Sequence, residues 1–576
     1  MRLHSYILPV VILAAAAVGV SAQAPLPTPS PLPETVPVAT VAPDFENRDL
    51  SLPDLGLVGV EMTRQRPLTM NDAVGLALEN NRDIEVTRKT EQMAEFDLRS
   101  ARGVYQPRLT GQMYYDRSTT PNVSIFSTNQ KNTVSSLVGN AGISAYAPRW
   151  GTVFGTTFNN NQATTDNPIS ILSPQLNSSL GFSVTQPLFR GRKFDTNRRT
   201  IEVAKRNIQI TDTQFRQRAI ETVAAVERAY WDLTYALRNL QVQRDAVRDA
   251  KSQLEHNRRL VNEGQLAPID VVAAETQVAN FEQAVYDALN TVNLTENVLK
   301  GLISPNRDAP IWSESITPVE PVEINVPDPG LTDAVALAIA NRPELEINAS
   351  QRDINELDQR LYKDQKKPQV DLFASYTSAG IGGSQNPSFA NPFARTVCAI
   401  PTSPECIASM QQQQAFLQQI GSSPSAYSDI FANKYPVFRV GVNFNIPLFG
   451  RDKTASALYG RSLVEAERLD VQREQLEQNI QTEVRNAIQA VRTNQARLRA
   501  ASIARENSAK QYESEQRKLD SGQSDVYRVL ERQTALTAAQ SAELRARTEL
   551  NKAVTELERA TGNTLKANNV ETKLRK

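Results

Sequence analysis

Few side chains in this 576-residue chain are suited to acid–base, nucleophilic or metal chemistry, and their spacing excludes most of it. There are two histidines, His4 in an apolar leader and His256 in a charged helical stretch. A histidine zinc site, a haem ligand or a Ser-His-Asp triad therefore lacks its usual ligand or base, and His256 reads as a solvated helix residue. Gly380-Ile381-Gly382-Gly383 has neither the preceding strand nor the following helix of a phosphate loop. The two cysteines, Cys398 and Cys406, fall short of a metal-ligand set. Lys plus Arg and Asp plus Glu balance at 63 each, which removes the basic profile of a nucleic-acid binder. The chain reads as a non-enzyme without cofactor or metal.

Its work must then lie in shape, and the elements that set shape start with a leader. Arg2 and His4 precede an apolar run to Val20, and Ser21-Ala22 supply the small residues of a cleavage site, so 1–22 reads as a secretory signal. No cysteine follows the break to carry a lipid anchor. Residues 23–67 hold Pro25, Pro27, Pro29, Pro31, Pro33, Pro37 and Pro43, the composition of an extended, unpacked linker. In an exported chain, Cys398 and Cys406 most simply pair as a disulfide closing a small loop. Beyond the leader no run approaches the roughly 20 apolar residues of a membrane helix, and mean hydropathy is -0.41. That average does not exclude a β-barrel, whose strands hide every second side chain.

The chain is duplicated with an offset of about 260 residues. Asp72-Ala-Val-Gly-Leu-Ala-Leu-Glu-Asn80 matches Asp333-Ala-Val-Ala-Leu-Ala-Ile-Ala-Asn341, Gln106-Pro107 answers Lys367-Pro368, Pro187-Leu-Phe189 answers Pro447-Leu-Phe449, and Gly264-Gln265 answers Gly522-Gln523. Each half reads helix, strand, long loop, strand, very long helix, tight turn, helix. The first helix is expected from an N-cap at Thr69 to about Val104. The very long helices, expected over about 193–262 and 452–521, each span roughly 100 Å at 1.5 Å per residue. Val226, Leu233, Leu240, Val247, Leu254 and Val261 recur every seven residues, as do Val484, Val491 and Leu498. This is the stripe by which a helix packs lengthwise on a neighbour. Polar residues on the other faces suit the wall of a hollow bundle, with a solid coiled-coil spacer as the competing reading.

Alternation in the strands favours the hollow form. Leu180, Phe182 and Val184 alternate with small polar residues, and Phe438, Val440, Val442, Phe444 and Ile446 do so more clearly. Tyr435, Phe438, Phe444 and Phe449 suit an aromatic belt at a lipid boundary. Two further strands are expected over 109–117 and 370–377. The segment 142–159, with its Pro148-Arg-Trp-Gly151 turn, has no counterpart in the second half and reads as an extracellular insert, although a hairpin fits it too. Four strands cannot close a barrel, and an open edge is not tolerated in lipid. Copies of the chain must share one barrel in a cyclic oligomer.

Leu68-Thr-Met-Asn-Asp-Ala-Val-Gly-Leu-Ala-Leu-Glu-Asn-Asn81, the Gln186-Pro-Leu-Phe189 strand end with Gly191, and the two Gly-Gln turns resemble the TolC-like outer-membrane efflux protein family over residues 68–562. The resemblance implies a mainly α protein with a small β part: a homotrimer with a 12-strand barrel in the outer-membrane lipid and a long α-helical barrel across the periplasm. It implies two partners, a periplasmic adaptor (membrane fusion protein) and an inner-membrane pump of the RND, ABC or MFS type, and an exit duct for small molecules or proteins. A periplasmic coiled-coil adaptor or a structural spacer is the alternative. The corresponding layout is a signal peptide (1–22), Pro-rich linker (23–67), first repeat (68–310), linker (311–329), second repeat (330–562) and tail (563–576). Pro187 with Gly191 and Pro447 with Gly450 would mark the strand-to-helix junctions. Gly264, Gln265, Asp270, Gly522, Gln523, Asp525, Arg528 and Glu531 would form the periplasmic tip, gate and adaptor-docking region. Where family members often present aspartates, this chain places Arg528 and Glu531, which would pair between protomers across the closed mouth.

Overall fold

A computed structural model describes residues 56–122, 130–320, 326–327, 329–389, 398, 400–447 and 452–570. The leader, the proline run to Pro43, Phe449 and Gly450 lie outside the described residues. In chain order the elements are β1 (Glu61–Leu68), α1 (Met70–Asn80), α2 (Arg82–Arg102), β2 (Arg108–Pro121), β3 (Lys131–Tyr146), β4 (Val153–Thr165), β5 (Leu172–Pro187), α3 (Thr196–Asn262), α4 (Pro268–Ile303), β6 (Glu314–Pro318), α5 (Leu331–Asn341), α6 (Pro343–Gln365), β7 (Gln369–Gln385), α7 (Pro404–Ile420), α8 (Ser425–Phe431), β8 (Tyr435–Asn445), α9 (Lys453–Asp520), α10 (Val526–Ala560) and α11 (Thr564–Ala567).

The two rods fall where the sequence puts them, with α3 of 67 residues and α9 of 68. Their seven-residue stripes are buried: Val226, Leu233, Leu240, Val247 and Leu254 on α3, and Val484 and Val491 on α9. Each rod folds back on its successor, α3 on α4 and α9 on α10, while α3 also touches α10 and α6 of the other repeat. The contacts between repeats are edged with ion pairs, Arg199 to Asp358 at 2.5 Å, Arg228 to Glu556 at 3.3 Å and Lys552 to Asp232 at 3.0 Å. Such partly exposed pairs are individually weak, so the apolar stripe carries the packing and the pairs set register.

Three sequence expectations change. The first helix is two, because Asn81 leaves helical geometry and caps α2 by accepting from Asp83 N at 2.9 Å and Ile84 N at 3.4 Å. The second repeat breaks at the same place, with Pro343 opening α6. The stretch 61–67, expected as unpacked linker, forms β1, paired in parallel with β6 inside the expected inter-repeat linker. This pair roofs a core of Val74, Val226, Tyr230, Leu233, Leu299 and Ile316. Behind it a buried pair, Lys300 and Glu296 at 3.0 Å, pins β6 through Ile316 N, which donates to Glu296 at 2.9 Å. A buried ion pair stays together only when its remaining polar atoms are satisfied, as here.

The third change is the strand count. One continuous antiparallel sheet runs β2-β3-β4-β5-β7-β8, six strands rather than four. The 142–159 segment is not an extracellular insert: it contains the end of β3, a turn and the start of β4, laddered between β2 and β5. Small or polar residues on its apolar face, such as Ala145 and Thr156, dilute its alternation, which is why the pattern was faint in sequence. The register places Met113, Ile143, Phe158, Leu180, Tyr376 and Val440 on one face, and Gln112, Asn140, Asn159, Ser179, Thr377 and Arg439 on the other. One face thus carries apolar residues on all six strands, interrupted on β3 and β4 by Ser135, Thr156 and Asn160, and the opposite face is mainly polar.

Between β7 and β8 the long connection forms α7 and α8, and Cys398 is bonded to Cys406 at its start. Helix α8 lies against the apolar face: Ser378 Oγ donates to Ile430 O at 2.7 Å, and Phe158 stacks on Tyr427. Gly380 and Gly382, which as a sequence motif excluded only a phosphate loop, let the α8 backbone come this close. A Cβ on Gly380 would run into the Ala426 carbonyl.

The contact between repeats also carries a titration. Burial raises Glu227 on α3, whose carboxylate accepts from Asn568 at 2.7 Å. Burial, with Glu227 nearby, raises Glu558 on α10 from 4.5 to about 7. Below pH 4.5 folded and unfolded chains are alike protonated at Glu558. Between 4.5 and 7 the unfolded chain releases a proton that the folded one keeps, so stability falls through this window and is level above it. Glu558→Gln is therefore expected to raise the melting temperature at pH 7.5 by roughly 2–4 °C and to shrink the pH 5 to 7.5 difference, in circular-dichroism melts.

Candidate functional site

Two kinds of chain reversal bound the rods. At one end strands become helices. Pro187 closes β5 opposite Asp371 in the ladder, and the next amide, Leu188 N, donates to Val370 O at 2.9 Å. Gly191 turns the chain at φ +79°, where a side chain is strained, and its N–H donates to Asp364 Oδ2 at 2.6 Å. Asp364, only 5% exposed, also takes Lys367 as an ion-pair partner. Asp195 then caps α3 by accepting from Arg198 N at 2.8 Å. In the second repeat Asp452 caps α9 by accepting from Ala455 N at 3.0 Å. Arg190 lies 3.8 Å from Asp452, linking the two junctions. Pro447 follows β8, and Gly450 lies outside the described residues.

The junction contains a residue that sequence reasoning missed. Arg198, its side chain 14% exposed, donates through Nε to Pro148 O at 2.9 Å and through Nη1 to Arg192 O at 2.9 Å. Gln186 Nε2 donates to Trp150 O at 3.2 Å. The Pro148-Arg-Trp-Gly151 turn is thereby seated on the end of α3, at the helical end of the sheet and not at its far side. Gly151, at φ +70°, fits because a Cβ there would lie 2.8 Å from Gly191 O. Two left-handed glycines in contact are the only local signal, and they are 40 residues apart in sequence.

At the other end each rod reverses into its partner helix. Gly264 and Gly522 take φ +74° and +70°, the left-handed position that ends a helix. Gln265 N donates to Leu260 O and Gln523 N to Lys518 O, both at 2.8 Å, so the two turns are built alike. Asp270 accepts from Ala267 N at 3.1 Å and Asp525 from Arg528 N at 2.9 Å, each capping its returning helix. The tips lie together: Leu266 and Ala273 of the first pack on Leu519, Val526, Val529 and Leu530 of the second. Gln277 Nε2 donates across to Thr534 Oγ1 at 3.0 Å.

On this paired tip Gln523, Arg528 and Glu531 are exposed. Arg528 Nε sits 3.4 Å from its own chain's Asp525, with both side chains more than half exposed. His256 is not simply solvated, since its Nε2 stands 3.5 Å from Asp520 Oδ1 in a crevice of about 450 Å³ that Gln253, Arg259, Tyr512 and Gln516 also line. Among the described residues no group of three or more His, Cys, Asp or Glu is placed to hold a metal. The arrangement is one of polar, paired reversals at the two ends of long rods.

The family described as outer membrane efflux protein matches residues 73–304 and again 334–563. No curated protein matches the chain by sequence. Among solved structures, CusC is similar at TM-score 0.59 and 14% identity, over 86% of this chain and 92% of that one. The CmeC outer membrane channel of Campylobacter jejuni is similar at 0.58 and 14%, over 87% and 90%. The open state of the MtrE outer membrane channel of Neisseria gonorrhoeae is similar at 0.56 and 15%, over 86% and 89%.

Asp525→Ala removes both the cap of α10 and the partner of Arg528. The expected loss is about 1 kcal/mol of local stability, read as faster amide exchange in the first turn of α10 with its far end unchanged. Asp525→Asn, an equally good cap, restores the protection.

Proposed function

Since this chain belongs to the outer membrane efflux protein family, we propose that three copies form the exit duct of a tripartite efflux or type I secretion system. The duct receives small molecules or proteins from an inner-membrane pump through a periplasmic adaptor. The observation that carries this is the pairing of one apolar-faced sheet with two rods that end in matched, polar tips. The sheet suits outer-membrane lipid on its apolar side and water on its polar side. The rods, roughly 100 Å long at 1.5 Å per residue, suit a passage across the periplasm.

In this reading the tips at Gly264-Gln265 and Gly522-Gln523 face the adaptor, and the exposed Arg528 and Glu531 control the mouth. Arg528 already holds Asp525 of its own chain at 3.4 Å. Its remaining N–H groups are free to reach Glu531 of a neighbouring copy, which gives a mouth closed by several weak, exchangeable pairs. A wide aqueous passage needs few specific contacts, so cargo choice falls to the pump.

Cell fractionation should place the protein in the outer membrane as an oligomer of three that dissociates on heating before gel electrophoresis. A soluble periplasmic monomer would end this reading. Arg528→Ala combined with Glu531→Ala should raise single-channel conductance in planar bilayers, and unchanged conductance would remove these residues from the gate.

A further inference from the structure

We infer that the β3–β4 hairpin is part of the membrane wall, and that β2 of one copy pairs with β8 of the next to close a barrel of six strands per chain. In the threefold assembly proposed above, on which this count rests, three sheets of six give eighteen strands.

Three observations support it. First, β3 and β4 have 16 and 13 residues, at or above the 9–11 that a tilted membrane strand needs. They lie inside the sheet, between β2 and β5, not beside it. Second, over 137–145 and 153–159, toward the helical end, they continue its two faces: Leu137, Ile143, Phe154 and Phe158 fall with the apolar residues, and Asn140, Ser144, Thr157 and Asn159 with the polar ones. An extracellular insert has no need of that separation. Third, their turn is held at the helical end by Arg198 and Gln186, so the hairpin traverses the full depth of the sheet.

The edges then identify their own partner. Strands β2 and β8 have neighbours on one side only, and their residues are almost all exposed. Unpaired strand edges are not tolerated in lipid. With an even number of antiparallel strands, β2 and β8 run in opposite directions, so copies join by the same antiparallel ladder that holds each sheet together. At about 4.8 Å between strands and about 40° tilt, eighteen strands give a backbone diameter of roughly 36 Å, against roughly 24 Å for twelve. Only β2, β5, β7 and β8 connect directly to helices. The extra strands widen the outer mouth without adding a helix to the tunnel, and Arg198 seats their turn on its rim.

The test uses the full-length protein in liposomes with the Cys398–Cys406 pair oxidised. Single cysteines at Leu137→Cys and Phe154→Cys, both exposed on the apolar face clear of α8, carry an NBD fluorophore, with Val440→Cys on β8 as control and Asn159→Cys as the polar-face comparison. Quenching by doxyl-labelled lipid at 137, 154 and 440, several-fold stronger than at 159, is the expected result. Quenching at 440 alone overturns the hairpin's place in the wall while leaving the membrane duct intact; quenching nowhere overturns both. Closure is read separately by oxidising Met113→Cys or Tyr115→Cys together with Val440→Cys. Covalent dimers and trimers are expected, and a monomer from both pairs overturns the β2–β8 junction.

Discussion

Backbone amides and carbonyls cannot be left unpaired in hydrocarbon, and the architecture of this chain depends on that constraint. A six-stranded sheet with an apolar face has satisfied its interior ladder and left two edges open. It cannot be a finished membrane structure alone. The rods share the incompleteness, since Val464, Val471 and Ile503 of α9 stay exposed outside its buried stripe and polar residues fill most of the remaining faces. Both features fit the proposed ring of identical copies. This accounts for a chain in which hydrophobic residues reach 40% and aromatics only 6%.

Local chemistry at the ends of the rods makes the reversals buildable. The same three devices appear in both repeats: a left-handed glycine at the tip, an aspartate capping the returning helix, and an aspartate capping the rod where the sheet hands over. Because these use backbone geometry and short carboxylates, they survive duplication even where neighbouring side chains have diverged. Where the repeats do differ, the difference is concentrated in the sheet, with an added hairpin in the first and the disulfide-bearing α7–α8 connection in the second.

Much of this was legible in the sequence, and for identifiable reasons. The seven-residue stripes of α3 and α9 stand out because a long helix repeats its pattern many times. Gly264 and Gly522 stand out because few residues other than glycine end a helix in the left-handed region. The break at Asn81 was hidden because it interrupts the helix for one residue without disturbing the apolar spacing around it. Strand β1 was hidden beside a proline run, since its partner β6 is roughly 250 residues away and nothing local announces a parallel pair. The β3–β4 hairpin was hidden because its apolar face is interrupted by residues such as Ser135, Thr156 and Asn160. Arg198 was hidden for the commonest reason of all, that an arginine's partner is a carbonyl on a turn far away in sequence.

The hairpin seated by Arg198 also bears on how such a structure can change over generations. Inserting two strands preserves the up-and-down alternation of every other strand, so nothing downstream must be re-threaded. In a ring of identical copies one such insertion in the gene is multiplied by the number of subunits. In the proposed assembly the gauge of the outer opening would thus change in coarse steps while the helical tube kept its dimensions.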